Sequence, residues 1–232
     1  MPNVGGSAAR EDRKAQGVVE KPRYMHNEPQ RLSMLRSYTA ADALTLANAS
    51  CGTLSIFLCL SYLADNKSVE LWLAFVLPIF ALIFDALDGY VARLESHRQS
   101  RLGADLDSLA DIVSFGVAPA VLGYTLGLRG FWDVVLLTCF VCCGISRLAR
   151  FNVTAAALTN TATGKVRYFE GTPIPTSIVI VIVLAVLYAL ALTGEQFWLG
   201  HWVVLGRGFH PFSTLFFVSG SLMISTIKVP KP

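Results

Sequence analysis

Asp85 and Asp88 stand three residues apart, and Asp107 and Asp111 stand four apart. On a helix each spacing puts both carboxylates on one face. The flanks are apolar, and ionisable residues in such stretches are costly and usually functional. Like charges at about 4 Å cost on the order of 4 kcal/mol per pair at an effective dielectric of about 20, so in a cluster of four either some members are protonated or cations sit between them. Hard oxygen donors select Mg²⁺, Mn²⁺ or Ca²⁺ over zinc. Two such ions about 3.5–4 Å apart suit phosphoryl chemistry. Gly89 and Ala92 continue the Asp88 face and Gly103 precedes Asp107 by one turn, so small side chains leave room for a bulky ligand. Asp105 points away from the Asp107–Asp111 face. Helix-end acids balanced by Arg93, Arg98 and Arg101 would account for one or two of these carboxylates, but not for two facing pairs.

The elements that must carry this cluster are membrane helices. Of 232 residues, 53% are hydrophobic and only 15% charged, which points to lipid as the solvent. The net charge of +3 is too small to argue for nucleic acid. Six apolar segments approach the roughly 20 residues a span needs: about 40–63, 71–91, 104–128, 131–149, 173–192 and 211–227. The pattern predicts an all-α polytopic membrane protein of six transmembrane helices. The stretch 197–205 is too short to cross, and Trp198 and Trp202 suit an interfacial position. Thr39 and Asp42 form a helix-start box for the first span. Arg31, Leu32, Leu35 and Arg36 suggest a short amphipathic turn before it. Residues 1–28 are polar, lack the apolar core of a signal peptide and read as a disordered cytosolic tail. Residues 29–232 read as the six-helix membrane domain. Of nineteen Lys and Arg residues, only Lys67, Arg129 and Arg207 fall on one side. Both termini and the loops after spans two and four therefore face the cytosol. The two aspartate pairs then lie at the cytosolic ends of consecutive antiparallel spans, and a short hairpin brings their faces together.

Other residues invite weaker readings. Arg147 and Arg150 share a helical face at the level of the aspartates, and an Arg fork suits a carboxylate or phosphate. Pro173 and Pro175 predict a rigid entry to the fifth span. Thr45, Asn48 and Gly52 follow helical spacing on the first span, as ligand contacts or as a small-residue helix contact. The five cysteines lie in apolar stretches and read as buried thiols rather than a metal or disulfide framework, CxxC spacing at Cys139 and Cys142 notwithstanding. Ser108 and Ser114 have no evident role. His26, His97, His201 and His210 fall in loops or the tail without ligand partners in register.

The run from Asp85 to Asp111 resembles the signature of the CDP-alcohol phosphotransferase family: D-x2-D-G-x2-A-R, a spacer, then G-x3-D-x3-D. Every fixed position is present. The spacer at 94–102 has nine residues, one more than is usual. The resemblance implies six membrane helices, a homodimer, a site open to the cytosolic leaflet, and two divalent cations, Mg²⁺ or Mn²⁺. It places the metals on Asp85, Asp88, Asp107 and Asp111, with Asp111 also the general base. It places CDP-lipid against Gly89, Ala92, Arg93 and Gly103, and against Thr45 and Asn48. The segments RLARFN, FEGTPIPTS and SGSLMIS look like the phosphatidylserine synthase branch. That implies CDP-diacylglycerol and L-serine as substrates, with Arg147, Arg150 and Phe151 around serine and Glu170 near its ammonium. FEGTPIPTS looks fungal, which implies the endoplasmic reticulum, with a prokaryotic inner membrane as the alternative. Sister activities would use glycerol phosphate, inositol or inositol phosphate. A metal-ion transporter is the reading from a different class.

Overall fold

The computed structural model describes residues 39–94, 101–159, 168–170, 172–197, 199–225 and 228–230, all within the compact unit Tyr38–Pro232. The predicted tail, the surface turn at 31–36, His26, His97, Trp198 and spacer residues 95–100 lie outside the described residues.

The molecule is mostly helical. Helix α1 (Ala40–Asp65) starts at the expected box: Thr39 Oγ1 accepts from Asp42 N, and Asp42 Oδ2 accepts from Thr39 N at 2.7 Å. It ends at Asn66 in the left-handed conformation (φ 56°), which turns the chain into α2 (Ser68–Leu94). Pro78 sits inside α2. It cannot donate to the Ala74 carbonyl four residues earlier, and Ser55 of α1 supplies that hydrogen bond at 2.7 Å.

The third predicted span is one apolar stretch, Gly103–Leu126, but it is not a single regular helix. It consists of α3 (Arg101–Asp111), a π-helical segment (Ile112–Val117) and α4 (Ala118–Leu126). Pro119 explains the interruption, since a proline ring collides with the carbonyl four residues before it in a regular helix. Helix α5 (Phe131–Thr159) continues past the predicted end at 149; RLARFN contains no helix breaker, and Asn152 bonds to α3. Strand β1 (Tyr168–Glu170) follows, then a 3₁₀ turn (Ile174–Ser177) leading into α6 (Ile178–Ala189). A second 3₁₀ turn (Pro211–Ser213) leads into α7 (Thr214–Ile224).

Helices Ala40–Asp65 and Ser68–Leu94, the stretch Gly103–Leu126 and Phe131–Val153 are long and apolar enough to cross a membrane. The fifth and sixth expected spans are present as shorter apolar helices, Ile174–Ala189 and Pro211–Ile224. Helix α6 gives way to a turn at Leu190 and Ala191, and α7 to a bend at Ser225. Many large apolar side chains face outward, among them Phe57, Phe80 and Ile182, as lipid contact requires.

Gly220 lets α7 approach α5 closely: a Cβ there would stand 3.2 Å from the Phe140 Cα, a small-residue helix contact. Phe140 and Phe216 pack edge to face beside it. Tyr188 of α6 packs against Tyr62, Trp72 and Phe75. Strands β2 (Trp202–Val204) and β3 (Arg207–Phe209) form a hairpin in which Trp202, Val203 and Val204 are exposed, and Leu205 at its tip most of all. That form suits the interfacial placement expected for 197–205.

His210 falls in a loop, as expected, but the loop reading holds no hint of its burial or of its partner on α5. His210 is buried, and its Nδ1 lies 2.6 Å from Asp133 Oδ2. Asp133 Oδ1 also accepts the His210 main-chain N–H at 2.8 Å, and its Oδ2 accepts from Gly130 N. Asp133 lies at the start of α5, so this latch closes the end of the bundle opposite the acidic cluster. The cysteine reading needs correction, because Cys142 is exposed on α5 while Cys51 and Cys59 are buried.

Candidate active site

Asp85 of α2 and Asp107 and Asp111 of α3 converge. Each offers one carboxylate oxygen, and these oxygens all lie within 4.8 Å of one another. The antiparallel run of α2 into α3 brings the two faces together, as the spacing predicts. Asp88, one turn after Asp85, is outside this three-way set. It is buried beside α1, where Thr45 Oγ1 donates to its Oδ2 at 2.8 Å. Its charge still acts on Asp85, Asp107 and Asp111.

Helix α1 is the back wall. Asn48, fully buried, donates its Nδ2 to Asp111 Oδ1 at 3.3 Å. Ser114 Oγ donates to the Asn48 main-chain oxygen at 2.9 Å. Gly52 permits this approach, since a Cβ there would stand 2.5 Å from Ser114 Oγ. Thr45 and Asn48 thus aim their donors at aspartates, and Gly52 serves the helix contact. Among the described residues, Asn48 Oδ1 and Asp107 Oδ1 are buried without a hydrogen-bond partner.

The remaining predicted residues distribute around this centre. Gly89 and Ala92 are half-buried. A Cβ on Gly89 would meet only Arg93 Nη2, at 3.9 Å, so that side is open as expected. Arg93 is exposed, and its Nε donates back to the Gly89 carbonyl at 2.9 Å. Gly103 is half-buried. Arg147 is half-buried, and its Nε is buried without a hydrogen-bond partner. Arg150 and Phe151 are exposed, so the two arginines differ in depth. Glu170 falls in β1. Asp105 stays out of the cluster, as expected, and accepts from Asn152 Nδ2 at 3.4 Å. Asn152 Nδ2 also donates to Ser108 Oγ at 3.0 Å, which fastens the end of α5 to α3.

Sequence reasoning missed the roles of Ser108, Ser114 and Asn152, and the target of Asn48. Polar side chains at helical spacing on the first span were the one available signal, and they do not reveal their partner.

An all-oxygen donor set, three carboxylates in mutual reach and a buried, unpartnered Asp107 oxygen together fit a hard divalent cation. Fold and site define a polytopic membrane protein with an acidic pocket at one end of its helices. The chain belongs to the CDP-alcohol phosphatidyltransferase family, whose model matches residues 38–209. A CDP-diacylglycerol–serine O-phosphatidyltransferase of Saccharomyces cerevisiae is 41% identical over 89% of this chain and 75% of its own length. An archaetidylserine synthase of Methanothermobacter thermautotrophicus is 34% identical over 82% of this chain and 69% of its own. A CDP-diacylglycerol–serine O-phosphatidyltransferase of Helicobacter pylori is 34% identical over 83% and 72%. No solved structure matches the chain.

Proposed function

We propose that this protein transfers the phosphatidyl group of CDP-diacylglycerol to the hydroxyl of L-serine, giving phosphatidylserine and CMP. The observation that carries the reading is the meeting of Asp85, Asp107 and Asp111 next to a partly buried Arg147 whose Nε lacks a partner. Names borne by the relatives from yeast and Helicobacter support the same acceptor.

Asp111 acts as general base. It takes the proton of the serine hydroxyl as that oxygen attacks the phosphorus bearing the diacylglycerol group, and the bond to the CMP oxygen breaks. Asn48 holds one Asp111 oxygen, which leaves the other for the proton. Arg147 receives the serine carboxylate through its unpartnered Nε–H, with Arg150 and Phe151 at the mouth. Gly89, Ala92, Arg93 and Gly103 line the CDP-lipid side, and Thr45 and Asn48 back it from α1. Asp85, Asp107 and Asp111, with Asp88 beside them, would hold two ions, Mg²⁺ or Mn²⁺, which neutralise the pyrophosphate when bound.

The same reading includes six crossings, a homodimer, a 1–28 tail outside the 29–232 catalytic domain, and a site facing the cytosol from the endoplasmic reticulum membrane. Pairing of β1, between α5 and α6, with β4 (Lys228–Pro230), after α7, supports two crossings between them. Family membership sets aside the transporter. Purified protein given CDP-diacylglycerol with labelled serine, inositol or glycerol 3-phosphate decides the acceptor. Serine alone is expected to yield labelled lipid, and product only with another alcohol would move the chain to a sister activity.

A further inference from the structure

The FEGTPIPTS segment has no chemical role in the site as described, yet it touches the helix that carries Asp111. Pro119 lies two turns beyond Asp111 and has no N–H to give the Phe115 carbonyl. The chain between them winds as a π segment, in which Ala118 N bonds to Val113 O, five residues back. The Phe115 carbonyl accepts the Ser177 hydroxyl at 2.6 Å. Ser177 is fully buried and ends the 3₁₀ turn Ile174–Ser177 at the close of FEGTPIPTS. Ile174 of that turn, also fully buried, meets the π segment across Gly144: a Cβ there would stand 3.1 Å from Ile112 Cδ1 and 3.6 Å from Ile174 Cδ1. On the other side, Ser114 and Gly52 bind the segment to α1.

Asp111 is the residue immediately before this segment. One residue of winding corresponds to about 100° of rotation, so a drift from π toward α geometry would swing Asp111 out of the cluster. Single π turns inside helices occur frequently at functional sites.

We propose that Ser177 is a positioning residue: its hydroxyl holds the π segment open through the Phe115 carbonyl and so keeps Asp111 against Asp85 and Asp107. The inference rests on the reading of Asp111 as the base.

The test compares full-length wild type, Ser177→Ala, Ser177→Cys, Ser55→Ala and Asp111→Asn in lipid nanodiscs. Turnover with CDP-diacylglycerol and serine, CDP-diacylglycerol affinity and Tm are measured for each. Ser55 donates to the carbonyl opposite the other span proline and is the matched control. Ser177→Ala is expected to lower kcat about tenfold to a hundredfold, as misplacement of a reacting group does. Its affinity for CDP-diacylglycerol stays within about threefold, and Ser177→Cys, a weaker donor, falls between it and wild type. Ser55→Ala keeps kcat within about twofold. Wild-type kcat in folded Ser177→Ala overturns the proposal. So does a parallel loss of kcat and lipid affinity that Ser55→Ala shares at equal Tm, which would mark a purely structural role. Should Ser177→Ala not fold, Ser177→Cys is judged by the same criteria. Asp111→Asn keeps the two readings apart. If it turns over, the base assignment fails; if it is inactive while Ser177→Ala is fully active, only the positioning role fails.

Discussion

Pro78 in α2 and Pro119 in the third span each deprive a carbonyl of its donor, and each time a neighbouring serine hydroxyl replaces it: Ser55 on Ala74, Ser177 on Phe115. Unpaired carbonyls are expensive in a span, and nearby Ser or Thr commonly satisfy them. The two regions differ in winding. Helix α2 passes Pro78 without losing its α pitch, whereas the third span opens into a π segment between Pro119 and Asp111. The same repair therefore stabilises a span in one place and aims a carboxylate in the other.

The largest effect that would break this contrast is at the carboxylate itself. Asp111→Asn is expected to lower turnover by on the order of a thousandfold, the range of a lost general base. CDP-diacylglycerol affinity in a binding titration should stay largely intact. A smaller effect belongs to the opposite end of the bundle. Asp133→Ala removes the acceptor of the His210 Nδ1, the His210 N–H and the Gly130 N–H. At 1–3 kcal/mol per stranded buried group, it should cost about 3 kcal/mol of stability in a denaturation series, with kcat per folded molecule unchanged.

The prolines sharpen the comparison directly. Pro119→Ala restores an N–H and permits regular winding, so kcat should drop about tenfold even with Ser177 present. Pro78→Ala should leave kcat within about twofold. Equal effects from both would dissolve the distinction between the two regions. Gly52→Ala is subtler. Its methyl group would press on Ser114, with an overpacking cost of about 1–3 kcal/mol and a modest fall in kcat, read from melting and steady-state rates.

Much of the site was legible before the fold. The i, i+3 and i, i+4 aspartate spacings act through helix periodicity alone, so Asp85, Asp107 and Asp111 could be placed together and Asp105 kept apart. Asp88 could not be separated from them, because its bond to Thr45 depends on how α1 lies across α2. His210 illustrates the limit. A loop position gave no hint that Asp133, far away in sequence, would bury it.

Apolar periodicity, charge asymmetry and acid spacing settled that this is a helical membrane protein with one acidic end, because those properties act along a single helix. Partners across helices were decided only by packing: Asn48 on Asp111, Asn152 on Ser108, Ser177 on Phe115. A proline announces that a carbonyl will lose its donor, but only the neighbouring helix determines whether the chain keeps its pitch or opens around it.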